Sequence, residues 1–170
     1  MTLIPRATLA AIAAAFMAVA LLSGQIISMD AARAQTAAPA HHTPQARAIY
    51  EAVGKGNIAA VMEAATDDIV WAMNGRREDC PCLGQYKGKA DVAAFLRSIP
   101  QVWTFTEFSA RDFIAVPGKV VVLGRFSMKH NKTGKPFSSD FVHVFTFDGG
   151  KLKAFQEFAD SASMAAAYRP

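Results

Sequence analysis

His143 and Glu157 stand fourteen residues apart in the stretch FVHVFTFDGGKLKAFQEF, which runs from Phe141 to Phe158. A histidine and a carboxylic acid within reach of each other make an acid–base pair, one taking a proton while the other orients or returns it. Whether these two meet depends on the hairpin between them. Side chains alternate between faces along a strand, so Phe141, His143, Phe145 and Phe147 share one face, and three phenylalanines mark it as buried. A three-residue turn, Asp148-Gly149-Gly150, pairs His143 with Phe155 and puts Phe155 and Glu157 on that face. A two-residue Gly149-Gly150 turn pairs His143 with Gln156 and turns Glu157 away. The hairpin alone leaves both registers open.

The other residues with reactive chemistry are fewer. Cys80 and Cys82 are the only thiols. Two cysteines are too few for a structural zinc site, and a disulfide, local or intermolecular, is the expectation if the chain reaches an oxidising compartment. Adjacent His41 and His42 lack further ligands nearby. Gly54-Lys55-Gly56-Asn57-Ile58-Ala59 matches a dinucleotide fingerprint on paper. That fingerprint needs a preceding strand, and here a helix precedes it. No metal and no cofactor is expected.

The elements that must hold these residues follow from periodicity. Ala46, Ile49, Tyr50 and Val53 recur at helical spacing over Gln45–Val53, and Asn57 is placed to cap a second helix, Ile58–Ala65. Ile69–Asn74 reads as a short strand and Gly75–Lys89 as a long loop. Asp91 is placed to cap a third helix that Pro100 closes. Strands are expected over Val102–Ala115, Lys119–Lys129, Phe137–Phe147 and Lys151–Asp160, with a helical tail at Ser161–Tyr168. Helices followed by a run of antiparallel strands predict an α+β domain with helices on one face of a curved sheet.

The amino-terminal residues read differently. Arg6 precedes an unbroken apolar run from Leu9 to Leu22, and Ala32-Arg33-Ala34 supplies a small-x-small cleavage step. This is the layout of a secretory signal peptide; a membrane anchor needs about 20 apolar residues. Residues 1–34 are therefore expected to be removed, 35–44 to form an Ala/Pro-rich leader and 45–170 the folded domain. The protein is expected to be exported, to a periplasmic or extracellular space, with no membrane attachment after cleavage. The net charge is +4, but the one basic cluster, Lys129 to Lys135, falls at a hairpin turn. Nucleic-acid binding needs a basic stripe over a whole face, so no nucleic-acid partner is expected.

Three stretches carry a family resemblance: GKGNIAAVMEAATDDIVWAMNG after a Tyr-bearing helix, GQYKGKADVAAFL, and HVFTFDGGKLKAFQEFAD. Together they resemble the SnoaL-like branch of the nuclear-transport-factor-2-like superfamily, which also holds ketosteroid isomerases and polyketide cyclases. The resemblance covers about Ala46 to Ala167. It implies a cone-shaped, single-domain fold in which a bent antiparallel sheet wraps amino-terminal helices around a deep apolar pocket, and pairing into homodimers through the outer sheet face. It places Tyr50, Trp71, Met73, His143, Phe145, Phe155 and Glu157 in that pocket, with a small apolar molecule as partner. The isomerases carry their proton-shuttling aspartate where this chain has Met73, and their donor aspartate falls on His143. Steroid isomerase chemistry in its known form is not implied. The cyclases carry a histidine followed fourteen positions later by an acid, the spacing of His143 and Glu157, although their acid is aspartate. The resemblance thus favours the register that turns Glu157 inward, with Tyr50 placed to stabilise an enolate. It implies acid–base chemistry of isomerase, cyclase or hydratase type on a small carbonyl or cyclic substrate, or else a non-catalytic binder or dimeric interaction module.

Overall fold

The structure is a computed structural model that describes residues 41–170. The expected signal segment, and the leader up to residue 40, lie outside the described residues. Helix α1 spans Thr43–Gly54 and begins two residues before the expected boundary. Pro44 fits there because the first turn of a helix has no use for its missing N–H. Helix α2 spans Ile58–Glu63, and the Asn57 side chain accepts the Ala60 N–H as its cap. Strand β1 is Ala65–Met73 and β2 is Gly84–Lys87. Helix α3 is Gly88–Val102, β3 is Trp103–Val116 and β4 is Lys119–His130. The chain closes with β5 (Pro136–Asp148), β6 (Lys151–Phe158) and α4 (Ser161–Tyr168).

Three of these differ from expectation. Helix α3 starts at Gly88, ahead of the expected Asp91 cap; Asp91 lies in its first turn, where its carboxylate accepts the Lys87 N–H. The stretch read as one loop contains β2, which pairs antiparallel with β1, Tyr86 lying opposite Trp71. Helix α3 does not stop at Pro100. Its last-turn carbonyls find donors elsewhere: the Asn131 side-chain amide bonds Pro100 O and Gln101 O, and the Asn131 backbone N–H bonds Val102 O. The helix continues past the proline, and the carbonyls its end would leave orphaned are satisfied from the β4–β5 turn.

The fold is α+β, a curved, unclosed sheet of six strands ordered β2-β1-β6-β5-β4-β3, with helices packed against it. All neighbouring pairs are antiparallel except β1 and β6, which run parallel. That parallel pair brings the first strand beside the last, so β6 is flanked by β1 and β5. Both residues of the acid–base pair thus lie on interior strands, where each residue's position is fixed by partners on two sides.

The β5–β6 register matches neither expectation. Asp148 pairs with Lys151 and Phe147 with Leu152, so the turn is the two-residue Gly149-Gly150. Both glycines have positive φ, 54° and 80°, as a tight hairpin turn of the type I′ family requires. Continued unbroken, this register would set Gln156 opposite His143. It shifts by one instead: Thr146 pairs with Ala154, leaving Lys153 as the extra residue of a β-bulge. Lys153 is tied across to Asp68 on β1. The bulge restores the lost parity, and His143 lies directly opposite Glu157.

Candidate active site

Two adjacent rungs of the sheet build the site floor. On one, Trp71, Phe155 and Phe145 lie side by side from β1, β6 and β5; on the next, Met73, Glu157 and His143 do so. The first rung is an aromatic platform: Trp71 stacks on Phe155 with ring centres 3.9 Å apart, and Phe145 meets Phe155 edge-on at 5.0 Å. The second rung carries the polar chemistry. His143 Nε2 and Glu157 Oε2 are 2.9 Å apart, and both residues are buried.

Tyr50 completes the set from α1. Its hydroxyl lies 2.8 Å from His143 Nδ1, and its ring packs edge-on against Phe145. The Tyr50 hydroxyl keeps its proton well above the usual tyrosine range, chiefly because it is buried and also because the Glu157 charge lies near. Tyr50 therefore keeps its proton and can donate it. Where the Tyr50 O–H donates to Nδ1, the His143 tautomer with its proton on Nε2 donates to Glu157 Oε2. The three side chains form one chain of hydrogen bonds, Tyr50 to His143 to Glu157.

The second carboxyl oxygen is the unpartnered one. Glu157 Oε1 is buried and has no hydrogen-bond partner in the protein, an arrangement costly enough to call for a reason. Glu157 lines a cavity of about 830 Å³ whose walls are mostly apolar and aromatic. A carboxylate that lines such a cavity with one oxygen anchored and the other unpartnered can take or give a proton once it meets a bound molecule.

Packing holds the imidazole in place as well. The Phe141 ring stacks on His143, centres 3.9 Å apart and planes within 15°. Phe141 in turn lies across Gly124 of β4. A Cβ at Gly124 would sit 2.3 Å from both the Phe141 ring and the Ser109 carbonyl. Glycine there lets β3 and the Phe141 ring approach β4 closely, and so contributes to the orientation of His143 without touching it.

All seven residues placed in the pocket by the resemblance line this one cavity. Cys80 and Cys82 are joined by a local disulfide, Cα atoms 5.3 Å apart. Cys82 lies in the cavity wall, its sulfur 3.5 Å from that of Met164 on α4. The mouth is elsewhere: the exposed lining residues are in the α1–α2 loop, late α3 and early β3. Sequence reasoning missed Phe105 and Phe108, which line that mouth. Three residues apart on one strand, they should face opposite ways. A bulge between Phe105 and Glu107 resets the alternation and turns both inward. Among the described residues, no group of three or more histidine, cysteine or acidic side chains is placed to hold a metal ion. No helix there is long and apolar enough to cross a membrane.

Comparison with known proteins agrees with this fold. An NTF2-like protein from Burkholderia xenovorans superposes with a TM-score of 0.72 at 22% identity, covering 78% of this chain and 100% of the other. One from Burkholderia thailandensis gives 0.68 at 26% identity, over 77% and 99%. A protein from Mesorhizobium loti, named as a SnoaL-like polyketide cyclase, gives 0.54 at 17% identity, over 66% and 94%. No curated protein matches the chain. The SnoaL-like domain model matches residues 46–155, from α1 to the aromatic rung of β6. The chain belongs to the SnoaL-like domain family.

Proposed function

We propose that this protein is a cofactor-free acid–base enzyme acting on a small, largely apolar carbonyl or cyclic substrate by isomerase, cyclase or hydratase chemistry. One observation carries the reading: Glu157 Oε1 is buried and unpartnered at the cavity while Oε2 is held by His143. In this scheme Glu157 removes a proton next to the substrate carbonyl, and Tyr50 and His143 hold the polar network as charge moves onto the substrate oxygen. The family holds isomerase and cyclase members, which supports the reaction type.

The test is proton exchange. With 2-tetralone as probe in D2O, NMR should show protein-dependent deuteration at the α-carbon. Glu157→Gln retains an acceptor for His143 but no longer titrates. It should slow exchange by about 10²–10⁴ with little change in ketone affinity. Bound ketone with no exchange would move the assignment to a binding protein. That second reading is supported by the fact that His143 and Glu157 also satisfy each other as a lining pair would.

Two further features belong to the proposal. Export is supported by the Leu9–Leu22 run and the Ala32-Arg33-Ala34 step, and the Cys80–Cys82 bond suits an oxidising compartment. Amino-terminal sequencing of secreted protein should begin at Gln35, and an intact Met1 would refute this. Homodimerisation is supported by exposed apolar side chains such as Ile114 and Phe158 on the sheet. Sedimentation of the native protein as a monomer at micromolar concentration would refute that.

A further inference from the structure

We infer that the ligand carries an anionic group, a carboxylate or its equivalent, which Arg97 receives at the cavity mouth while the apolar body reaches inward to Glu157. This deepens the proposed function and rests on its reading of the cavity as a ligand site. The first observation is the arrangement of charge around the lining. Among the described residues its only acid, Glu157, is buried at the floor, and its only permanent cations, Lys55 and Arg97, are exposed at the opening.

The second observation separates Arg97 from every other arginine among the described residues. Arg47 lies over the Phe113 ring. Arg76 and Arg169 hold Asp79, and Arg111 and Arg125 hold Asp140. Arg77 bonds the Gln85 carbonyl and covers Tyr86. Arg97 makes no hydrogen bond, ion pair or ring contact there. Lys55 is already bonded to Glu51. A guanidinium offers a planar fork that matches a carboxylate with two parallel hydrogen bonds, and it is more weakly hydrated than an ammonium.

Desolvation fixes the orientation. An anion pushed into the apolar interior would lose its water and face the Glu157 carboxylate, both unfavourable. At the mouth the same anion keeps part of its hydration and meets Arg97, leaving the uncharged ring to cover the Trp71–Phe155 platform. A ligand with a charged end and an apolar end fits this polarity; one charged at both ends does not.

The experiment compares 2-naphthoate with its neutral methyl ester, by calorimetric titration against the native protein at low salt. Tighter binding of naphthoate, lost as salt rises, is expected. Arg97→Gln, an exposed change that leaves the core intact, should weaken naphthoate about 3–5-fold and leave the ester unchanged. Equal affinities in wild type, or a variant that weakens both probes alike, would overturn the anionic assignment while the pocket reading survives. Failure of both probes to bind would overturn the pocket reading and this inference with it.

Discussion

Two carboxylates in this molecule have almost the same contact with a nitrogen partner and opposite physical situations. Glu157 Oε2 lies 2.9 Å from His143, with both side chains more than nine-tenths buried. Asp79 Oδ2 lies 3.0 Å from Arg76 Nε, and that arginine side chain is 74% exposed. Distance alone would rank them equal. At the surface, water and salt screen the attraction, and ordering two side chains offsets most of what remains. At the sheet floor both side chains are buried, so breaking the pair leaves an uncompensated polar group there. The contrast locates structural and chemical leverage at the sheet floor.

The strongest way to break the comparison is to remove one buried partner. His143→Ala strips Glu157 and Tyr50 of their common contact and should cost about 3–5 kcal/mol in urea unfolding. Replacing both members, His143→Leu with Glu157→Leu, should recover much of that loss, since only the Tyr50 hydroxyl then lacks its partner. A double variant as unstable as the single would show that packing, and not the polar pair, carries the cost.

Gly124→Ala attacks the pair indirectly. The added methyl has no room between the Ser109 carbonyl and the Phe141 ring, and overpacking of this kind costs about 1–3 kcal/mol. Because Phe141 stacks on His143, the His143 ring resonances should shift by NMR, whereas a purely local strain would leave them in place.

Tyr50→Phe removes one hydrogen bond and should cost about 1 kcal/mol. It also has a pH signature. The folded state holds the Tyr50 proton more tightly than the unfolded chain does. Its contribution is therefore complete below the unfolded tyrosine value of about 10 and is lost as pH rises beyond it. Wild-type stability should fall more steeply than that of Tyr50→Phe in alkaline buffer, and parallel curves would contradict the assignment.

The smallest effect belongs to the exposed side. Arg76 holds the Asp79 carboxyl below the usual aspartate range, chiefly by hydrogen bonding, so any stability it contributes fades as pH falls through that depressed value. Asp79→Ala should move Tm by no more than about 3 °C at neutral pH. A shift as large as that of His143→Ala would erase the distinction.

Much of this arrangement was legible in the residues. Helical spacing of Ala46, Ile49 and Val53 located α1, and Asn57 and the Asp148-Gly149-Gly150 turn marked boundaries that the structure keeps to within a few positions. The phenylalanines alternating with His143 identified the buried face. What escaped were places where one extra residue or a distant donor changes a local rule. The bulges at Lys153 and before Glu107 break strict alternation, and nothing in the flanking side-chain types announces them. Helix α3 runs past Pro100, and Asn131, about thirty residues later, caps its last carbonyls. Strand β2 is too short to stand out and exists by pairing with β1. The unpartnered Glu157 oxygen is a property of three-dimensional packing, which no spacing reveals.

The Lys153 bulge also bears on how this hairpin tolerates change in length. It sits between the glycine turn and the His143–Glu157 rung, so the two ends of the hairpin need not keep step. Deleting Lys153 would convert β6 to a regular strand, with Ala154 still opposite Thr146 and Glu157 still opposite His143. A one-residue loss that would elsewhere exchange the acid for its glutamine neighbour is absorbed here without reaching the rung. A one-residue loss between the turn and the rung thus leaves His143 and Glu157 paired.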